Sequence, residues 1–397
     1  MEYKNSLNGI LPTNQMHVNQ SGLDGNKKTA NTRGSEFEIT LIQDEDSLSH
    51  VKSSWDRLLD NSTVDNINLT YQWLSTAWKW FSKTNPSARL LVYCVYFEKR
   101  LIGVFPLMTR KTRYKRLFAV QQLCFLGFEY SDYSDIIVDR AFSEQIRRLF
   151  VQQVFHDCAV SWDLILLRNM AYLENHTDPF YGEVSAACFD STISEKTRFY
   201  RIDFTGISHE VYWKNLSKSH RQNVRTASNR LNKYAAEAGL EIKWKRIAPE
   251  EAQVRACIRS SQDRQATKGR HSMVKEENFT NFVLDFVKSH SSLIRFHILT
   301  AGDETLAYSL DLKYKSTWYY WLPAFNANFD RFSPSVLLLD FVIRESVNEG
   351  CTKFDFMAGS SPYKEKWATG YRVGFQLKGI NAQSVKARLL GRLTGKK

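Results

Sequence analysis

The stretch from Trp318 to Trp367 constrains the fold of this 397-residue chain more than any other. It reads WYYWLPAFNANFDRFSPSVLLLDFVIRESVNEGCTKFDFMAGSSPYKEKW. Val336, Leu337, Leu338, Leu339, Phe341, Val342 and Ile343 make a helix that is apolar nearly all round and must be buried against a sheet. Ser333 is placed as its N-cap, and Pro334 falls in the first turn, where a missing N–H costs nothing. Gly350 ends the helix as a C-terminal cap. The spacing therefore predicts strand, rigidly held helix, strand. At the helix start the amides of Ser335 and Val336 are free to donate, and Arg331 adds charge, which suits a pyrophosphate. The strand beyond leads to Tyr363, Lys364 and Trp367, side chains able to contact a ribose, a phosphate or an adenine.

The rest of the chain falls into two passages of similar order. From Glu36, EFEITLI alternates like a strand, and Leu48, Val51, Trp55, Leu58 and Leu59 share one helical face. YQWLSTAWKWF is a second helix. LLVYCVYFE and LIGVFPLM form a hairpin that turns around Lys99 and Arg100. VQQLCFLG, DIIVD, the helix SEQIRRLFVQQVFHDC and the strand WDLILL close this unit near residue 195. The second passage opens with strand YRIDF, one long helix from His209 to Ala238 and strand LEIKWKRI. Helical segments at 249–262 and 275–289 follow, then a hairpin turning on AGDE, the segment described above, and strand VGFQLKGI. The match is one of element order and not of residues, and it points to a structural duplication. Antiparallel runs interrupted by one helix and one strand predict a mixed α+β sheet.

Lys and Arg number 54 against 42 Asp and Glu, and the net charge of +12 favours anionic partners such as phosphates, nucleic acid or acidic lipid. Residues 1–35 lack an apolar run and predict a disordered tail, and residues 386–397 a basic one. The cysteines are scattered, with neither a CxxC pair nor zinc spacing, so they read as reduced thiols and no metal is expected. Neither a dinucleotide-binding GxGxxG nor a P-loop pattern occurs. No secretory leader or membrane span stands out, which makes the cytoplasm the expected location.

In order and spacing the C-terminal residues resemble the GNAT-like acyltransferases of the Fem type and of the cellulose-biosynthesis-associated acetyltransferase branch. That branch shows an Arg, a Ser-Pro-Gly opening a Leu-rich helix, a Gly before a Phe-Asp-Phe strand, then Gly, Tyr-Lys and a following Trp. Arg331, Ser333, Pro334, Leu337 to Leu339, Gly350, Phe354 to Phe356, Gly359, Tyr363, Lys364 and Trp367 stand in those places. SKSHRQNVRTASNRL is similar to the family's basic helix, and Trp55, Leu58 and DYSD at 132–135 to its N-terminal lobe. Ser335 departs from the usual Gly, and Ser360 and Ser361 stand where an acidic residue often precedes Tyr-Lys. The resemblance implies two tandem GNAT-like mixed-sheet lobes forming a cleft, over residues 36–195 and 196–385.

It also implies acetyl-CoA or another acyl-CoA as donor, held by Arg331, Ser333, Pro334, Ser335, Val336, Lys364 and Trp367. Acyl transfer asks for a base for the nucleophile, donors for the oxyanion and an acid for the thiolate. Asp311 or Asp355 could take the proton, and Tyr363 or Tyr320 could serve the sulfur. Asp132 and Tyr133 are candidates for sugar hydroxyls, and Tyr320 also counts among the acceptor residues. On the basic helix, Arg221 and Arg225 could meet an anionic acceptor, and His220, an imidazole among cations, could act as a base. The expected reaction moves an acetyl or other acyl group to an amine or hydroxyl of a polar acceptor such as an amino sugar or polysaccharide precursor. The alternative is a Fem-type transfer from aminoacyl-tRNA to a cell-wall precursor, although no long helical arm of that type appears in this sequence. A third reading is a non-catalytic anion or nucleic-acid binding module, but no aromatic-basic strand or helix-turn-helix supports it. Basic segments would bring the chain to a membrane surface, and no stable nucleic-acid partner is expected.

Overall fold

The computed structural model describes residues 37–114, 116, 118–156, 161–170, 179–267 and 277–394. The tail expected over 1–35 lies outside them. The first half runs β1 (Phe37–Ile42), α1 (Glu45–His50), α2 (Lys52–Asn61), α3 (Tyr71–Thr84), β2 (Arg89–Phe97), β3 (Arg100–Tyr114) and β4 (Phe118–Phe125). The short β5 (Ile137–Val138), α4 (Ser143–His156), β6 (Leu164–Met170) and α5 (Pro179–Ala186) complete it. The second half opens with β7 (Cys188–Asp203), α6 (His209–Asn215), α7 (Lys218–Ala238), β8 (Ile242–Ile247), α8 (Glu251–Thr267) and α9 (Glu277–Ser289). There follow β9 (Ile294–Ala301), β10 (Glu304–Tyr314), β11 (Thr317–Phe325), α10 (Pro334–Asn348), β12 (Lys353–Ala358), α11 (Pro362–Trp367), β13 (Gly370–Asn381) and α12 (Val385–Thr394).

One mixed sheet takes in all of these strands, in the order β1-β2-β3-β4-β6-β13-β7-β12-β11-β10-β9-β8, with β5 paired to β3. Two neighbouring pairs are parallel, β4 with β6 and β11 with β12. Parallel neighbours need a crossover connection, and α4 and α10 supply one each. Each half thus carries the same strand, helix, strand unit behind an antiparallel hairpin, the duplication that the element order suggests. The boundary expected at 195/196 falls inside β7, and β13 pairs with β6 on one edge and β7 on the other. The last strand of the second half is therefore the seam between the halves.

Helices cover both faces. α10, α7 and α6 lie on one face of the second half, where Leu337, Leu338 and Val342 pack with Leu306, Trp318 and Phe354. α4 covers the first half through Ile146 and Phe150 against Phe105, Leu107 and Ile165. On the remaining face α3 meets α9: the Trp73 ring stands edge-on to Phe282, Phe286 and Trp321 at centroid distances of 5.1, 4.9 and 5.3 Å.

Two local expectations need correction. The long helix from His209 to Ala238 is two helices, because Leu216 and Ser217 are not helical and the Ser217 hydroxyl caps α7 through the His220 amide at 3.2 Å. The tail expected from residue 386 is helical to Thr394, since Ser384 caps α12 at the Ala387 amide (3.1 Å) and Ala387 packs onto Val120, Leu164 and Ile380.

Candidate active site

β11 and β12 stay paired only over Thr317–Tyr319 and Lys353–Asp355. Beyond that, β11 continues with β10 to Phe325 and β12 continues with β7 to Ala358, so the two part in a fork with Tyr319 and Asp355 at its vertex. The parting has a backbone cause. The β12–β7 register shifts between Asp355 and Ala358, and Met357 takes φ 59°, a left-handed conformation that disfavours any residue with a Cβ. Asp355 holds this bulge from within, its Oδ1 accepting the Met357 amide at 2.7 Å. α10 starts beside the fork, because a 3₁₀ turn over Ala327–Phe332 leads from the end of β11 directly into Pro334. Alternation along β12 turns Phe354 and Phe356 toward α10 and turns Asp355 and Met357 toward the face where the halves meet.

Side chains from both halves gather on Asp355. The phenol of Tyr133, in the loop after β4, donates to Asp355 Oδ2 at 2.5 Å. Asp132 accepts the Ala358 amide at 3.2 Å, and Lys364 of α11 donates Nζ to the carbonyls of Ala358 (2.7 Å) and Met357 (3.3 Å). Burial governs the electrostatics of this corner. It pushes the Asp355 carboxyl up to about 6, against the opposing pull of the Tyr133 hydroxyl, the Met357 amide and the Lys364 ammonium. It also lowers the Lys364 ammonium to about 8, although Asp132 and Asp355 pull the other way. Asp132 is raised by burial, and Tyr133 is raised well above the ordinary phenol range by burial and then by Asp355. Near neutral pH Asp355 is therefore mostly ionised and Lys364 mostly protonated.

The positioning residues behind this group have no motif in the sequence. Asn68, fully buried, accepts the amides of Asp132 (3.1 Å) and Tyr133 (3.0 Å) on Oδ1, and Trp73 Nε1 donates to Ser131 Oγ at 2.9 Å. Tyr133 stacks on Phe199 with centroids 4.2 Å apart. Phe199 in turn lies across Gly374, where a Cβ would come within 2.4 Å of its ring. Only a pairing of β7 with β13 puts those two residues together, and spacing in the sequence does not show it.

The two candidate carboxylates lie on opposite faces of the sheet. Asp311 is 0% exposed beneath α10, where both its oxygens accept from Ser309 Oγ at 2.8 Å and His297 Nδ1 stands 3.8 Å away. That enclosure removes it from any substrate, and burial raises its carboxyl. Tyr320 is likewise packed under α10, 5.8 Å from Phe354 and 6.1 Å from Phe356, so it is a core residue and not an acceptor contact. Tyr363 is half-buried, with its ring 6.3 Å from Phe356.

At the start of α10, Arg331 is exposed, with its guanidinium 4.7 Å over the Phe332 ring. Ser333, Ser335 and Val336 are half-buried, and Pro334 is buried. Ser333 occupies the N-cap position but at φ 53° and without a side-chain cap bond. Its carbonyl takes the amides of Val336 (3.0 Å) and Leu337 (3.3 Å), so the Val336 amide is engaged and Ser335 is the first-turn amide that Ser333 does not take. Lys364, expected among the residues that hold the donor, is buried. Trp367 is 1% exposed, edge-on to the His220 ring at 4.6 Å, and its carbonyl accepts the Tyr212 hydroxyl at 2.6 Å. It anchors α6 and α7 and is closed to an adenine. His220 is buried in the same contact, and burial lowers its imidazole. Arg221 closes the end of α6 by donating to the carbonyls of Trp213, Lys214 and Leu216, which leaves Arg225 as the exposed cation of that pair.

Comparison with known proteins fits this geometry. Residues 218–365, the span from α7 into α11, match the family model described as an acetyltransferase (GNAT) domain. The solved structure of FemX superposes with a TM-score of 0.59 at 10% identity, covering 87% of this chain and 98% of FemX. A conserved protein of unknown function from Bacteroides thetaiotaomicron gives a TM-score of 0.50 at 9% identity, covering 86% of this chain and all of that one. Likenesses at this identity carry the fold. No curated protein sequence matches the chain.

Proposed function

With a GNAT-type acetyltransferase domain as premise, we propose that this protein is an acyltransferase that moves an acyl group from a coenzyme A thioester to an amine or hydroxyl of a polar acceptor, an amino sugar or polysaccharide precursor being the class we favour. The observation that carries the reading is the fork: parallel strands part at Tyr319 and Asp355, beside the start of α10, with a carboxylate and an ammonium fixed at the vertex. A bound thioester supplies an activated acyl carbon and a thiolate leaving group. Arg331 and the Ser335 amide would hold its phosphates, as helix starts hold anions. The unpaired edges of β11 and β12 offer backbone groups to an extended, amide-bearing arm.

On the opposite face of the sheet, Asp355 takes the proton of the acceptor amine or hydroxyl. The Tyr133 hydroxyl and the Met357 amide hold that carboxylate in one orientation. Lys364 Nζ faces the same corner and stabilises negative charge developing on the acyl oxygen, more strongly than it would in water because the corner is desolvated. Asp132 keeps the Lys364 ammonium charged and ties the loop of the first half to Ala358.

A second reading keeps this chemistry and takes an aminoacyl ester on tRNA as donor. Lys218, Arg225, Arg230 and Lys233, all exposed along α7, favour it. Titration calorimetry with acetyl-CoA and with bulk tRNA separates the two. Saturable heat with acetyl-CoA that weakens several-fold in Arg331→Ala supports the thioester, whereas binding of tRNA alone overturns it.

A further inference from the structure

α12 closes the sheet of the first half at the starts of β4 and β6, away from the fork. Ala387 packs inward with Val120, Leu164 and Ile380, and Tyr114 and Phe118 of the β3–β4 hairpin lie alongside. The outward face is unusual for a surface helix. Val385 is 62% exposed and Leu389, one turn on, 53% exposed, while Lys386 and Arg392 are exposed on either side of them. The helix contains no acidic residue. Exposed cations continue on the adjoining hairpin with Lys111, Arg113 and Arg116. Between hairpin and helix is a hollow of about 780 Å³, lined among others by Val154, Phe155, Trp162 and Val385 together with Lys111 and Lys386. The carboxylate in that lining, Asp163, is already engaged by the Gln121 amide (2.9 Å), the Ser384 hydroxyl (2.7 Å) and Lys386 (3.6 Å).

We infer that this end of the molecule docks on an anionic lipid surface, with Val385 and Leu389 at the acyl boundary and the surrounding cations at the headgroup phosphates. Charge decides between occupants. The apolar pair alone would suit a second copy of the chain, but cations around it repel an identical face and complement a layer of phosphates. Two apolar side chains bury too little to anchor a protein, and cations alone hold it only loosely. Together they make the two-signal anchor that reversible membrane binding needs. The aromatic rings of Tyr114 and Phe118, half-buried at the hairpin tip, suit the same depth.

Flotation of the full chain with vesicles of phosphatidylcholine, with and without about a third phosphatidylglycerol, tests this. The protein is expected to float only with phosphatidylglycerol and to be released by salt. Val385→Asp with Leu389→Asp should stay in solution, and Lys386→Glu with Arg392→Glu should lower the partition coefficient by about tenfold or more. Because these side chains are exposed, melting curves should match the parent, and the milder Val385→Ser with Leu389→Ser should bind at an intermediate level. A parent protein that ignores phosphatidylglycerol overturns the inference, as does undiminished binding in the aspartate variant. A lipid-free dimer that the aspartate variant dissociates would assign the face to a second copy and also overturn it. Donor binding at the fork should be the same in all these variants, so this test and that of the proposed reaction fail independently.

Discussion

In the proposed mechanism Asp355 and Lys364 set opposite limits on the pH range of the reaction. The base acts as carboxylate, so kcat/KM should fall as pH drops through about 6, and the cation acts as ammonium, so it should fall again as pH rises through about 8. The two groups interact, and the limbs of the bell belong to the pair. Asp355→Asn should remove the acidic limb and lower kcat by about 10²- to 10⁴-fold, with donor affinity little changed; a pH–rate profile of both proteins decides it. Gly374→Ala probes the support behind this pair. Its Cβ would meet the Phe199 ring at 2.4 Å and displace the Tyr133 stack, at a cost of about 1–3 kcal/mol in urea unfolding. Phe199→Leu should recover part of that loss, the coupling expected of touching residues. Asp355, Lys364 and Tyr133 each stood out in the sequence as a candidate, for the base, the donor and the acceptor in turn, but their shared corner was not legible there. Asp311 looked equivalent to Asp355, and the alternation of β10 and β12 against α10, which puts them on opposite faces, is decided by which strands pair.

α10 runs from the fork back to the start of β12, and both its ends are fixed. At its C-terminus Gly350 takes φ 77° and donates to Val347 O at 2.9 Å while Cys351 donates to Ser346 O at 2.9 Å, the closure that the sequence indicates. Glu349 at the same end binds Arg246 (2.6 Å), Arg295 (2.9 Å) and Lys313 (3.2 Å). Burial would raise its carboxyl, but the bonds to Arg295 and Lys313 outweigh it and lower the group. The stabilisation is therefore present above the unfolded value near about 4.3 and lost as pH falls through the lower folded one. Glu349→Gln should cost about 1.5–3 kcal/mol at neutral pH and little in strong acid, measured by denaturant unfolding at both. The start of α10 was read less well. Ser333 is the cap residue by position, yet its left-handed backbone turns the carbonyl and not the hydroxyl to the first turn. A similar offset affects the β2–β3 hairpin, whose turn residues are Glu98 and Lys99 at φ 48° and 63°, conformations that neither residue type advertises.

Both halves of the molecule share one sheet and one face of packed helices. Trp73 of α3 lies among Phe282, Phe286 and Trp321, and Trp73→Ala should lower stability by about 3–5 kcal/mol while calorimetry still records one unfolding transition. Two separate transitions would show halves that fold independently. The duplication was legible because hairpins, crossover helices and parallel strands repeat in order. The seam was not, since VGFQLKGI announces a strand but carries nothing that names β6 and β7 as its neighbours. β13 has a consequence for biosynthesis. A ribosome delivers β6 and β7 long before their common neighbour, so through much of translation the edges that both will offer to β13 stay bare on the nascent chain. Binding by a chaperone during that interval, ended when residues 370–381 emerge, is the natural remedy for a protein assembled from its two flanks toward its middle.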